Sequence, residues 1–114
     1  MLTIDKLKEY GANTQEGLAR CMNNEAFYLR MVSMGLGDKN FERLQKAVSE
    51  GDTKEAFEAA HALKGVIGNL SLTPLYAPLS ELTELLRGKE EMPDTGDLTD
   101  RIMEQLELAH ALEA

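Results

Sequence analysis

The chain has 114 residues, 43% of them hydrophobic and 28% charged, which fits one folded domain over 1–114 and excludes disorder along its whole length. Its 20 acidic against 12 basic residues leave a net charge of -8, which speaks against nucleic acid or an anionic membrane surface as partner. Cys21 is alone, so an internal disulfide and a paired-thiol zinc site are excluded.

No run approaches the roughly 18 apolar residues of a spanning helix. Acidic residues stand near the N-terminus where the apolar core of a signal peptide would lie. A reduced, cytoplasmic protein is expected. Leu, Ala and Glu dominate and strand alternation is lacking, so every element is expected to be helical.

In chain order, a short helix is expected over Thr3 to Glu9, capped by Thr3 and ended by Gly11. Asn13 caps a second short helix that turns Leu18, Cys21 and Met22 inward. A longer stretch begins near Asn24, with Phe27, Met31 and Met34 as its apolar stripe. Gly35-Leu36-Gly37-Asp38 breaks or kinks it, since each glycine costs about 1 kcal/mol against alanine. Asp38 caps the continuation, where Phe41, Leu44 and Val48 face inward, and Gly51 stops it.

Asp52 or Thr53 opens the next helix, which runs to about Leu70 with a core seam of Ala56, Ala60, Leu63, Ile67 and Leu70. Ser71 to Pro74 form a turn, with Thr73 as cap and Pro74 at the first helical position. The following helix buries Leu75, Leu79, Leu82 and Leu86, is bent early by Pro78 and stops at Gly88. A polar loop runs to Gly96. The last helix covers Asp97 to Leu112 and turns Leu98, Ile102, Leu106 and Ala109 inward. Four long helical stretches on short connections predict an all-α, antiparallel up-down-up-down four-helix bundle, with the short N-terminal helices capping one end.

The stretch from Thr53 to Leu70 carries more than a core seam. At about 100° per residue, His61 lies roughly 140° from the centre of that seam, and Phe57, Lys64, Gly65 and Gly68 fall within about 60° of it. One outward face thus gathers an imidazole, an ammonium, a phenyl ring and two glycines. An ordinary imidazole titrates near about 6.5, so its neutral form is a good nucleophile at pH 7. Lys64, one turn on, can approach phosphoryl oxygens as a point charge. Gly65 and Gly68 keep side chains away from the ring, and their combined helix cost of about 2 kcal/mol has no packing return on an outward face.

Each residue also has a plainer reading. A lone histidine or lysine on a helix is usually just solvated, and Phe57 can equally be the edge of the core. The conjunction of all five favours chemistry.

His61-Ala62-Leu63-Lys64-Gly65 resembles the His-x-Leu-Lys-Gly signature of histidine phosphotransfer domains. Val66-Ile67-Gly68-Asn69-Leu70 and the Gly51-Asp52 turn fit the same family. The resemblance extends over essentially the whole chain. It implies an antiparallel four-helix bundle that carries a phosphoryl group on His61, through Nε2, with Lys64 steadying the phosphoryl oxygens and Gly65 and Gly68 giving access.

The partners it implies are receiver domains of response regulators or hybrid kinases, whose aspartates exchange the group and whose bound magnesium assists transfer. The chain needs no cofactor of its own and no autokinase activity is expected, since it has no nucleotide-binding motif. Arg87 matches a basic residue that some members place near the phosphohistidine, and with Phe57 it is a candidate docking residue. The family's common Leu-Gly at the end of the signature helix is Leu70-Ser71 here.

Two other classes are open to the same residues. An adaptor bundle could bind a receiver or a partner helix through the His61 face without taking phosphate. A metal-binding bundle would need inward Glu-x-x-His pairs, and Glu107-Leu108-Ala109-His110 has that spacing once. The net charge and the lack of a sustained exposed apolar face favour a monomer.

Overall fold

Residues 1–114 are described by a computed structural model, which contains seven α-helices and no strand. These are α1 (Ile4–Tyr10), α2 (Thr14–Arg20), α3 (Glu25–Leu36), α4 (Asn40–Glu50), α5 (Thr53–Asn69), α6 (Thr73–Leu86) and α7 (Leu98–Ala111). Their starts follow local chemistry. The side chains of Thr3, Asn13, Asn24 and Asp52 each accept a backbone N–H of the first turn. Gly11 and Gly51 close α1 and α4 in the left-handed conformation, at φ of 108° and 72°, where a side chain would be strained.

The break at Gly35 to Asp38 separates α3 from α4. Asp38 Oδ1 accepts the Asn40 N–H at 2.8 Å, while Lys39 occupies the cap position without a side-chain bond. At the start of α6 the helix begins one residue earlier than expected. Leu72 is its cap and Thr73 its first residue, which moves Pro74 into the second position, where a missing N–H is still harmless. Pro78 lies buried inside α6, and the helix continues past it to Leu86.

The expected seams are the core. Ala56, Ala60, Leu63, Ile67 and Leu70 of the α5 segment are buried, as are Leu75, Leu79, Leu82 and Leu86 of α6 and Ile102, Leu106 and Ala109 of α7. Leu98 is half-buried. In α4, Phe41 and Leu44 are buried with Ala47, and Val48 is at the margin. Helix α4 packs on α5, α5 on α6 and α6 on α7, and α7 also touches α3 and α4. Glu107 and His110 of α7 are both exposed, so that pair does not point into the core as a bundle metal site requires.

The N-terminal third departs from expectation. Met22 is 90% exposed, in a turn where it and Asn23 both have φ of 57°, and does not face inward. In α3 the Phe27–Met34 stripe is not the core face. Phe27 is 41% and Met34 63% exposed, Met31 is half-buried, and the buried residues are Tyr28, Val32, Gly35 and Leu36. The cause is steric. An added Cβ at Gly17 would fall 2.5 Å from the Tyr28 ring, and one at Gly35 would fall 2.5 Å from Leu70 Cδ1. Two glycines thus make the close contacts that set the rotation of α3.

This region covers the end of the molecule where α5 hands over to α6. The Asn13 N–H donates to the Ser71 carbonyl at 2.9 Å, and the buried Tyr28 hydroxyl donates to the Leu70 carbonyl at 2.8 Å. Burial pushes the Tyr28 hydroxyl up to about 12, so it stays a donor at neutral pH. Lys6 reaches across to the Leu112 and Ala114 carbonyls at 3.3 and 3.1 Å.

Gly17→Ala should destabilise the fold by about 1–3 kcal/mol, because the Tyr28 ring is fixed by its own hydrogen bond and cannot retreat freely. Chemical denaturation measures it, and an unchanged midpoint would contradict this packing.

Candidate functional site

Helix α5 divides cleanly around its axis. The side that carries Ala56, Ala60, Leu63 and Ile67 has no exposed surface, whereas His61 stands on the open side. The His61 ring stacks on Phe57, one turn earlier, with centroids 5.6 Å apart and planes within 8°. Stacking holds the imidazole against the helix without enclosing it. Phe57 is half-buried, and the Arg87 guanidinium lies 5.2 Å from its ring centroid. Arg87, the residue that closes α6, is therefore joined to His61 through Phe57.

Lys64 is not a free surface ammonium. It is 26% exposed, and its Nζ lies 3.6 Å from Glu84 of α6. Arg87 donates two hydrogen bonds to the same carboxylate, from Nε at 3.1 Å and from Nη2 at 2.9 Å. The Arg87 guanidinium, and after it Lys64, hold the Glu84 carboxyl below its ordinary range.

The two glycines differ. Gly65 is exposed, and a Cβ there would meet nothing within 4 Å. At Gly68 a Cβ would fall 3.0 Å from Cε1 of Tyr76, so the absent side chain makes room for that ring. Gly68 does have a packing return, contrary to the expectation from its outward angle. The reason is that α6 leans Tyr76 across the last turns of α5.

His61, Lys64, Gly65 and Gly68 line an open groove of about 590 Å³ together with Tyr76 of α6 and Glu16 and Arg20 of α2. Arg20 donates to the Gly68 and Asn69 carbonyls at 3.1 and 3.2 Å and to Ser71 Oγ at 2.8 Å, and pairs with Glu16. It adds side-chain donors to the carbonyls at the end of α5, where Gly68 also accepts the Ser71 N–H at 3.1 Å. Ser71 itself has φ of 59°, the left-handed region that favours glycine, and its carbonyl and hydroxyl bonds to Asn13 and Arg20 hold it there.

All six predicted site residues lie on this face or at its edge. Glu84, Tyr76 and Arg20 escaped sequence reasoning. The Glu84–Arg87 pair had a signal in its spacing of three, whereas Tyr76 and Arg20 act on residues of another helix. No three His, Cys, Asp or Glu side chains converge as a metal-ligand group, and no helix is long and apolar enough to cross a membrane.

Comparison with protein families finds a match to the Hpt domain over residues 36–114. The chain belongs to that family, and with it to the histidine phosphotransfer domains of two-component phosphorelays, which interact with receiver domains. The match takes in α4 to α7 and begins at the last residue of α3. Neither the curated proteins nor the solved structures contain a match to the chain.

Gly65→Ala should stabilise the fold by up to about 1 kcal/mol, since the new methyl group meets only solvent and the helix gains propensity. Gly68→Ala should gain less, because the Tyr76 ring must shift. Denaturation midpoints in the reverse order would contradict the difference between the two positions.

Proposed function

We propose that this chain is a phosphocarrier in which Nε2 of His61 accepts a phosphoryl group from an aspartyl phosphate of one receiver domain and passes it to the aspartate of another. The observation that carries the proposal is the open His61 imidazole, stacked on Phe57, with Lys64 one turn on and open space over Gly65. In the accepting step the Nε2 lone pair forms the N–P bond and the P–O bond to the aspartate breaks. The aspartate leaves as a carboxylate and the Nδ1 proton stays on the ring. The reverse step returns the group.

Phosphoryl transfer depends chiefly on positioning and charge stabilisation, and a carrier needs little more than a nucleophile, a cation and clearance. Phe57 orients the ring, Lys64 neutralises charge on the phosphoryl oxygens, and Gly65 admits the receiver's active-site loops. Gly68 serves access indirectly, by leaving room for the Tyr76 ring at the groove. Arg87 and Phe57 form the docking edge. On this reading α4 to α7 are the antiparallel up-down-up-down bundle of the family, with short turns between α4, α5 and α6 keeping neighbours antiparallel. The carrier has no autokinase activity and no cofactor of its own, and magnesium belongs to the receiver. It acts as a cytoplasmic monomer.

The test is phosphotransfer from a panel of phosphorylated receiver domains to the wild type and to His61→Gln. Acid-labile, base-stable label on the wild type alone is the expected result. Receiver binding intact in both proteins, with no label on either, would instead favour an adaptor. Lys64→Ala should slow labelling by at least about tenfold, the scale of a lost charge contact in transfer, while its circular dichroism stays helical. An unchanged rate would remove Lys64 from the mechanism.

A further inference from the structure

Glu84 pairs with two cations near His61: Lys64, one turn on along α5, and Arg87, which reaches His61 through Phe57. Its carboxylate lies 3.6 Å from Lys64 Nζ of α5 and accepts two hydrogen bonds from Arg87 at the end of α6. Arg87 lies over Phe57, and Phe57 stacks on His61, so the acid is linked to the imidazole by an unbroken series of contacts. Glu84 and Arg87 are both more than half exposed, which leaves the cluster free to rearrange when a new anion arrives.

We propose that Glu84 is a positioning residue for phosphoryl transfer: it holds Lys64 and Arg87 ready beside His61 as a counter-anion that the phosphoryl group must displace, and so limits how much phosphoryl group rests on His61 at equilibrium with a receiver. The inference rests on the reading of His61 as the acceptor. A phosphoryl group brings close to two negative charges at neutral pH. To pair with it, Lys64 must give up part of its attraction to Glu84, and the carboxylate also repels the incoming charge directly. Both effects raise the free energy of the phosphohistidine relative to the receiver's aspartyl phosphate. Neither touches the nucleophile. The consequence is a carrier that keeps its cations oriented while empty and releases its load readily.

The experiment uses the full chain and a receiver that labels it. The ratio of label on His61 to label on the receiver is read at equilibrium for the wild type, Glu84→Gln and Glu84→Asp, and for Lys64→Ala/Arg87→Ala with and without Glu84→Gln. Glu84→Gln should raise the ratio about two- to fivefold, the range of an exposed charge pair. Glu84→Asp keeps the charge and should stay closer to the wild type. Most of the gain should vanish when both cations are already absent, an outcome that a purely structural role for Glu84 does not produce. An unchanged or lowered ratio in a folded Glu84→Gln overturns the inference, and so does a gain that persists undiminished without the cations. A wild type that takes no label from any receiver overturns the His61 reading itself, which separates the two failures.

Discussion

Helix α5 has to bury one stripe and expose the opposite one, and the site depends on that division. Ala56, Ala60, Leu63 and Ile67 are fully enclosed between α4 and α6. Small residues at the first two positions let neighbours approach closely, and the larger two fill the middle of the core. Fixing that stripe fixes the rotation of the helix, and with it the outward turn of His61. Its orientation is then refined by Phe57, whose ring is half in the core and half under the imidazole. A shift of α5 by one residue would carry His61 by about 100° around the axis.

The far end of α5 is held by a different set of forces. Ser71 takes a backbone conformation that favours glycine, and three groups from the N-terminal helices anchor the turn: the Asn13 N–H, the Arg20 guanidinium and the Tyr28 hydroxyl. Residues 1–35 precede the stretch matched to the Hpt domain, yet Arg20 and Glu16 border the same groove as His61. The N-terminal helices thus serve as a brace for the turn and as one wall of the face that a partner would meet. Lys64, Glu84 and Arg87 lie on the α6 side, so the face has a polar, hydrogen-bonded border on one flank and a compact ionic cluster on the other.

The seams of α5, α6 and α7 were legible because they are regular: leucine, isoleucine and alanine recur every three or four residues, and the same count that buries Leu63 exposes His61. Three caps were legible for an equally local reason, since Thr3, Asn13 and Asp52 bond to N–H groups three residues on, whereas the expected caps Asp38 and Thr73 give way to Lys39 and Leu72. The face of α3 was not. Hydrophobicity pointed to Phe27 and Met34, whereas two glycines and a tyrosine hydroxyl, all acting through contacts made outside α3, decided the rotation. Gly68 was misread in the same way: its angle was right, but Tyr76 arrives from another helix. Lys64 was placed correctly on the face, and its partner Glu84 was hidden because an ion pair between helices leaves no periodic trace.

Phosphoryl transfer through Nε2 of His61 leaves a nitrogen-phosphorus bond, and nitrogen-phosphorus coupling in the chain labelled with ¹⁵N in its histidine rings detects it. After exposure to a phosphorylated receiver, a ³¹P-coupled resonance is expected at Nε2 of His61 and none at His110, the other histidine of the chain. Coupling at His110, or at Nδ1 of His61, would contradict it.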